Sequence, residues 1–172
     1  LFRSQHMPSR QKAKGNNWER TVAKHLSDVF DSNFTRVPTS GAMTGGMNAG
    51  VLAKMTDNQK LLLEGDIIPP DHLYKMKIEC KSLKKFSFAG MLSENKQLED
   101  WIEQARGRDK VWFLIFKINN QGSFICFTRN VFKTCDNLSD RNYLIYKKYY
   151  YVTPLAGFFE KNKSSLLQLC KK

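Results

Sequence analysis

The sequence predicts an α/β domain in which a central mixed β-sheet is flanked by helices. Three observations support this: apolar residues recur every three or four positions between residues 18 and 30, a nearly unbroken apolar run fills 111–118, and helical and strand-like segments alternate along the chain. With 172 residues, the chain is long enough to bury the core of one domain. We expect residues 1–13 to form a flexible basic arm, with 1–6 a leftover of cloning, and residues 14–172 to form one domain with a C-terminal extension from about 128.

The first half of the chain predicts one helix followed by strands. The helix is expected to begin at Asn17, because apolar side chains then follow at helical spacing. Residues 34–37 predict a short strand that Pro38 stops, and the glycine- and methionine-rich stretch 39–48 predicts a loop. Two further strands, 61–68 and 74–81, are expected to pair as a hairpin.

The second half predicts a basic, aromatic loop and then a helix from Glu94 to Ala105, which Gly107 ends. The run 111–118 predicts a central buried strand, with 122–127 as its hairpin partner. The tyrosine- and lysine-rich tail is expected to pack against the sheet edge, to bind DNA or to form a subunit interface, and 164–170 predicts a short closing helix.

Charge and cysteine content narrow the class of function. The chain has 28 Lys+Arg against 16 Asp+Glu, a net charge of +12, which favours a nucleic acid as the partner. No apolar run is long enough to span a membrane, and the scattered basic residues argue against a role at a membrane surface. The four cysteines form no C-x-x-C pair, so a zinc site is not expected. We expect them to be reduced thiols of a cytoplasmic protein.

Asp66, Glu79 and Lys81 are the strongest candidates for chemistry. Glu79 and Lys81 are two positions apart in a predicted strand and therefore share one face. If the segment of Asp66 pairs beside that strand, two carboxylates and one ammonium converge, an arrangement that suits Mg²⁺, a water molecule and a phosphodiester. The carbonyl of Cys80 is a candidate third metal ligand, and Lys81 would orient the attacking water. The alternative is a surface salt bridge on an edge hairpin.

These residues resemble the signature of PD-(D/E)xK nucleases, and their surroundings resemble archaeal-type Holliday junction resolvases. The lysine-rich, single-domain composition suits a protein encoded by a phage as well as one encoded by a cell. The resemblance covers about residues 14–118 and implies a restriction-endonuclease-like core. Its five ordered segments are Lys14-Gly15-Asn16-Asn17-Trp18-Glu19-Arg20, Arg36-Val37 leading to Ser40-Gly41, Gly65-Asp66-Ile67-Ile68, Ile78-Glu79-Cys80-Lys81-Ser82 and Gln97-Leu98-Glu99.

The resemblance implies roles for three further residues. Glu19 would complete the metal site, Ser40 would touch the phosphate backbone and assist cleavage, and Gln97 would pack beside Lys81. Each also has a purely structural explanation: Glu19 could favour a helix N-terminus, Ser40 could cap a turn and Gln97 could be ordinary helix surface.

Basic residues around this site are expected to contact phosphates. Such contacts are independent of DNA sequence and sensitive to salt. The predicted DNA contacts are Arg10, Lys12, Lys14, Arg36, Ser40, Lys84 and Lys85, with Arg106, Arg108 and Lys110 as further candidates.

The expected function is therefore a Mg²⁺-dependent DNA endonuclease, with Mn²⁺ able to substitute, that leaves 5′-phosphate and 3′-hydroxyl ends. A Holliday junction resolvase acting as a homodimer would make paired symmetric incisions in four-way junctions, and Trp101, Trp112 and the late strands are candidates for the interface. One alternative is a nuclease of the same superfamily that acts on other branched, nicked or duplex DNA. Another is a nucleic-acid-binding module without catalysis.

Overall fold

The computed structural model describes residues 10–37, 64–135, 138 and 142–171. It confirms an α/β fold with one mixed sheet and helices packed on both faces, consistent with a restriction-endonuclease-like core. The predictions for Ser40, for the loop 39–48 and for residues 61–63 of the predicted strand lie outside the described residues, as do those for the side chains of Arg10 and Lys12.

Seven strands and four helices make up the described part of the chain. The strands are β1 (Thr35–Arg36), β2 (Ile67–Ile68), β3 (Met76–Leu83), β4 (Val111–Ile118), β5 (Gly122–Thr128), β6 (Leu144–Tyr146) and β7 (Tyr150–Pro154). The helices are α1 (Arg10–Phe30), α2 (Lys96–Ala105), α3 (Arg129–Thr134) and α4 (Phe158–Cys170), and short 3₁₀ turns cover Asp71–Leu73 and Ala89–Leu92.

The sheet has the order β1-β2-β3-β4-β5-β7-β6. Strands β3 and β4 run parallel, and the other neighbouring pairs are antiparallel. The predicted pairing of the Asp66 segment with the Glu79 strand is confirmed, because β2 pairs with β3 through Ile67 and Ile78. Asp66 lies just before β2, so the predicted strand 61–68 is wrong over residues 64–66.

Helix α1 begins at Arg10, so the predicted start at Asn17 is wrong and residues 10–13 are helical rather than part of a flexible arm. Basic and polar residues can form an exposed helical turn. Such a turn has no apolar periodicity, so the sequence pattern does not reveal it. The helix ends where Asp31 takes a left-handed conformation with φ of 50°.

Two hydrophobic cores cover the two faces of the sheet. One lies between the sheet and the helices α1, α3 and α4, and includes Leu26, Ile78 and Phe113, all fully buried. The other lies between the sheet and α2, and includes Leu98 and Phe116. Because side chains alternate along β3, one of its faces meets α1 and the opposite face meets α2.

The predicted inward face of α2 is confirmed, because Leu98, Trp101, Ile102 and Ala105 are all buried. The helix begins after Asn95, whose side chain accepts a hydrogen bond of 3.0 Å from the N–H of Leu98. Its C-terminal cap is Arg106, with φ of −55° and ψ of 147°, and Gly107 follows immediately.

The tail after residue 128 extends the sheet. Strand β7 pairs with β5, and β6 pairs with β7 at the sheet edge, which is the first of the three predicted alternatives. The closing helix α4 spans Phe158–Cys170 and so begins before the predicted start at residue 164. Its first residues, Phe158 and Phe159, are fully buried and anchor it to the core.

The two tryptophans proposed for a subunit interface belong instead to the core of the protomer. Trp101 and Trp112 are 8% and 6% exposed and pack between the sheet and α2. Phe86 stacks on Trp101 with ring centroids 5.7 Å apart, so this aromatic residue of the basic loop is also a core residue.

None of the helices in the described ranges is both long and apolar enough to cross a membrane. The four cysteines are free thiols, and each is buried.

Candidate active site

Asp66 is fixed against the middle of β3 by its own backbone and side chain. Its N–H donates to the carbonyl of Ile78 at 2.8 Å, its carbonyl accepts from the N–H of Val37 at 2.9 Å, and its Oδ2 accepts from the N–H of Cys80 at 2.8 Å. Gly65 allows this approach: its φ is +88°, and a Cβ there would lie 2.6 Å from the carbonyl oxygen of Ile78.

The carboxyl of Asp66 lies in a strongly acidic environment. The pKa of Asp66 is raised from 3.8 to about 7, chiefly by burial and then by the charges of Glu79 and Glu19, while the N–H of Cys80 and the ammonium of Lys81 act in the opposite direction. Three acidic groups, Asp66, Glu79 and Glu19, therefore interact here, and all three were predicted as metal ligands. A bound cation would relieve this repulsion.

Glu79 and Lys81 point together from β3 toward α2, as their spacing predicts. Lys81 Nζ donates to Glu79 Oε1 at 2.7 Å, and the side chains are 23% and 11% exposed. Their neighbours in sequence, Ile78 and Cys80, are buried on the opposite face. The pair is held by a central strand, so the alternative of a surface salt bridge on an edge hairpin is wrong.

Gln104 is the glutamine of α2 that binds Lys81, because Lys81 Nζ donates to Gln104 Oε1 at 2.6 Å. The packing of Gln97 beside Lys81 stays a prediction. The two glutamines are two helical turns apart on one side of α2, about 10 Å along the axis, so helical spacing makes either a candidate. The direction and position of α2 across the sheet make Gln104 the one that forms the hydrogen bond with Lys81.

Glu19 reaches the acidic cluster from α1 and is 9% exposed. It does not lie in the first turn of the helix, so the explanation of Glu19 by the helix dipole is wrong. Its Oε2 lies 2.5 Å from Nε of Arg36, whose Nη2 donates to Asn16 Oδ1 at 2.8 Å. Arg36, which was predicted to contact DNA, is 14% exposed along its side chain and is paired with Glu19, so its contact with DNA stays a prediction.

The residues present fit a hard divalent cation by their chemistry, with carboxylates at Asp66, Glu79 and Glu19 and a backbone carbonyl at Cys80. Within the described ranges, no three Asp, Glu, His or Cys side chains are already gathered closely enough to hold a metal ion. Glu79 is paired with Lys81 and Glu19 with Arg36, so both carboxylates are neutralised by basic side chains.

Lys77 is a residue of this region that the sequence reasoning missed. It is 9% exposed, and its Nζ donates to the carbonyl of Gln104 at 3.0 Å and to the carbonyl of Arg106 at 2.5 Å. It thereby holds the C-terminal end of α2 against β3. A Cβ at Gly107 would lie 3.1 Å from Lys77 Cδ, so the glycine leaves space for the lysine.

Five of the predicted DNA-binding residues lie in two groups. Three of them, together with polar neighbours, line a cavity of about 520 Å³ that we call the Lys84 cavity. Arg106 and Lys110 lie at the other end of α2, where Arg106 pairs with Glu103 at 2.9 Å and Lys110 donates to the carbonyl of Tyr74 at 2.8 Å. The cavity is lined by Lys14, Ser82, Leu83, Lys84, Lys85, Gln97 and Asn119.

Comparison with known proteins gives one family. The model of the family described as "Phage putative PDDEXK endonuclease" matches residues 10–167. This match includes the tail strands β6 and β7, beyond the range 14–118 over which the sequence resembles resolvases. No curated protein matches the chain, and no solved structure does.

Proposed function

This chain belongs to the phage family of PDDEXK endonucleases, and we propose that it hydrolyses DNA phosphodiester bonds at the site formed by Asp66, Glu79 and Lys81. The observation that carries the proposal is the position of Asp66: its partly buried carboxylate is held by the N–H of Cys80, beside the pair of Glu79 and Lys81.

Asp66, Glu79 and the carbonyl of Cys80 would hold Mg²⁺, with Glu19 as a further ligand, and Mn²⁺ could substitute. When bound, the cation supplies charge neutralisation at the scissile phosphate and an activated water molecule. Glu79 and Glu19 would share their carboxylates between the cation and the basic side chains of Lys81 and Arg36.

Lys81 would act on the reacting phosphate. Its ammonium has three donors, two of which are taken by Glu79 Oε1 and Gln104 Oε1. The third can be donated to the attacking water or to a phosphate oxygen, where it stabilises the charge that develops in the transition state. The expected products are 5′-phosphate and 3′-hydroxyl ends.

We propose a Holliday junction resolvase as the specific activity, acting in the cytoplasm of the host cell. This proposal is supported by the resemblance of the ordered segments around Glu19, Asp66 and Lys81 to resolvases. Paired symmetric cuts in a four-way junction require two sites related by a two-fold axis, hence a homodimer.

Strand β6 is the surface we propose for the dimer contact. It forms one edge of the described sheet, and its side chains Leu144 and Ile145 are 46% and 51% exposed. Antiparallel pairing of β6 with β6 of a second copy would continue the sheet and cover these residues.

The decisive experiment is incubation of the protein with four-way, three-way, nicked and linear DNA, with and without Mg²⁺. Paired symmetric incisions in the four-way substrate alone establish the resolvase. Equal cleavage of linear duplex assigns a nuclease with other targets, and binding without cleavage of any substrate assigns a non-catalytic module.

Lys81→Ala is the variant that assigns the chemistry to this site. It is expected to abolish cleavage while DNA binding stays within about twofold, because one phosphate contact contributes little to a large charged interface. Lys148→Ala is the matched control, since Lys148 is an exposed lysine in the turn between β6 and β7. Cleavage by Lys81→Ala at the rate of this control would exclude the role.

A further inference from the structure

The Lys84 cavity lies where the carboxyl ends of two parallel strands meet the helices. Leu83 ends β3, Asn119 follows β4, Lys14 comes from α1 and Gln97 from the first turn of α2. In α/β sheets, ligands bind preferentially in such crevices outside the carboxyl ends of strands.

The lining has the chemistry of a nucleotide-binding surface. Three lysines supply positive charge for a phosphate, and the amides of Gln97 and Asn119 can each both donate to and accept from the edge of a base. Within the described part of the chain, the lining contains no carboxylate that would repel a phosphate. Leu83 adds an apolar surface for a base or sugar.

The cavity is also at a suitable distance from the proposed cleavage site. Leu83 lies two residues beyond Lys81 in β3, about 7 Å along an extended strand. On the facing helix, Gln97 lies two turns, about 10 Å, from Gln104. A DNA strand rises about 3.4 Å per nucleotide, so the cavity lies within a few nucleotides of a phosphate at Lys81.

We propose that the Lys84 cavity binds one unpaired nucleotide of the DNA strand that is cut at Lys81, with the phosphate on the lysines and the base edge on Gln97 and Asn119. Its volume of about 520 Å³ falls in the range of small-molecule pockets. A paired base presents its Watson–Crick edge to its partner, so the cavity would select nucleotides that are already unpaired, in single strands, flaps or branch points. The consequence for substrate choice rests on the nuclease function proposed above.

A neutral substitution tests the base contact without changing charge. Gln97→Leu is expected to weaken binding of a fluorescent single-stranded oligonucleotide by about threefold to tenfold, the effect of one lost hydrogen bond. Binding of a blunt duplex of the same sequence should not change. Gln121→Leu is the matched control, because Gln121 is an exposed glutamine in the turn between β4 and β5.

A charge substitution tests the phosphate contact. The double variant Lys84→Gln/Lys85→Gln is compared with Lys133→Gln/Lys148→Gln, which removes the same charge from exposed positions on α3 and in the β6–β7 turn. For single-stranded DNA, the slope of log binding constant against log salt should fall in magnitude by about 0.7 for each lost phosphate contact in the first variant. The second variant should leave this slope unchanged.

These binding measurements are made on the full chain in chelator, so they do not depend on catalysis. Loss of single-strand binding in the cavity variants but not in the controls supports the proposal. Equal loss on single strand and duplex, or equal loss in cavity and control variants, overturns it in favour of general attraction to the basic surface. The nuclease function fails separately, if the wild-type protein with Mg²⁺ cuts no DNA.

Discussion

Lys81 Nζ and Gln104 Oε1 are 2.6 Å apart, a hydrogen bond that joins the central strand β3 to the last turn of α2. Because the same ammonium also binds Glu79, the two acceptors together fix its direction. Gln104 is therefore a positioning residue for the proposed cleavage reaction.

Substitution of Gln104 should lower activity without unfolding the protein. Gln104→Leu removes the acceptor, and we expect cleavage to fall by about 10- to 100-fold, the usual effect of losing a group that orients an active-site residue. Gln104→Glu keeps an acceptor oxygen and should recover much of this loss. A purely structural role would instead give both variants the same activity and a lowered melting temperature.

Asp66→Asn should stabilise the metal-free protein and abolish cleavage. The pKa of Asp66 is raised from 3.8 to about 7, so the folded state holds a proton that the unfolded state releases, and stability falls as pH rises between these values. We expect the variant to be more stable than wild type by on the order of 1–3 kcal/mol above pH 7, with no difference below pH 3.8.

Thermal unfolding in chelator over this pH range measures the effect. Addition of Mg²⁺ or Mn²⁺ should raise the melting temperature of wild type but not that of Asp66→Asn. An equal rise in both proteins would contradict a metal site at Asp66.

Lys77→Met should destabilise the end of α2. The ammonium binds two carbonyls of that end, and its removal leaves them without this donor, at a cost of about 1–3 kcal/mol in the free energy of unfolding. Activity should also fall, because Gln104 lies in the same turn. Denaturant unfolding measures the change, with Lys133→Met as an exposed control that should stay within about 0.5 kcal/mol of wild type.

Glu99→Gln should destabilise the protein at neutral pH but not in acid. Hydrogen bonds from Lys147, at 2.7 Å, and from Tyr146 lower the pKa of Glu99 below 4.5. The stabilisation is therefore present above pH 4.5 and is lost as pH falls through the lower folded value. Melting temperatures of the two proteins should converge as the pH falls through this lower value; a constant difference in acid would show that the carboxylate charge is not responsible.

Ile145→Lys should prevent the proposed dimer contact. It places a charge on the edge strand β6, where a second copy would pair, and such charges oppose edge-to-edge association. Sedimentation should show a dimer for wild type and a monomer for the variant. The melting temperature of the variant should show that its protomer is still folded. A dimer that survives the substitution would place the interface elsewhere.

The sequence by itself determined much of this protein. Alternating side chains placed Glu79 and Lys81 on one face of a strand, and helical spacing identified the buried face of α2, because both depend on local periodicity. The long apolar run 111–118 identified β4 as a central strand, since no exposed segment tolerates such a run.

Only the tertiary structure decided which side chains meet. Gln97 and Gln104 lie on one side of the same helix, and the way α2 crosses β3 places Gln104 within hydrogen-bond distance of Lys81. Arg36 carries the positive charge expected of a DNA contact, yet the packing of α1 against β1 places it beside Glu19. Contacts between distant segments depend on the direction and register of whole elements, and local periodicity carries no information about either.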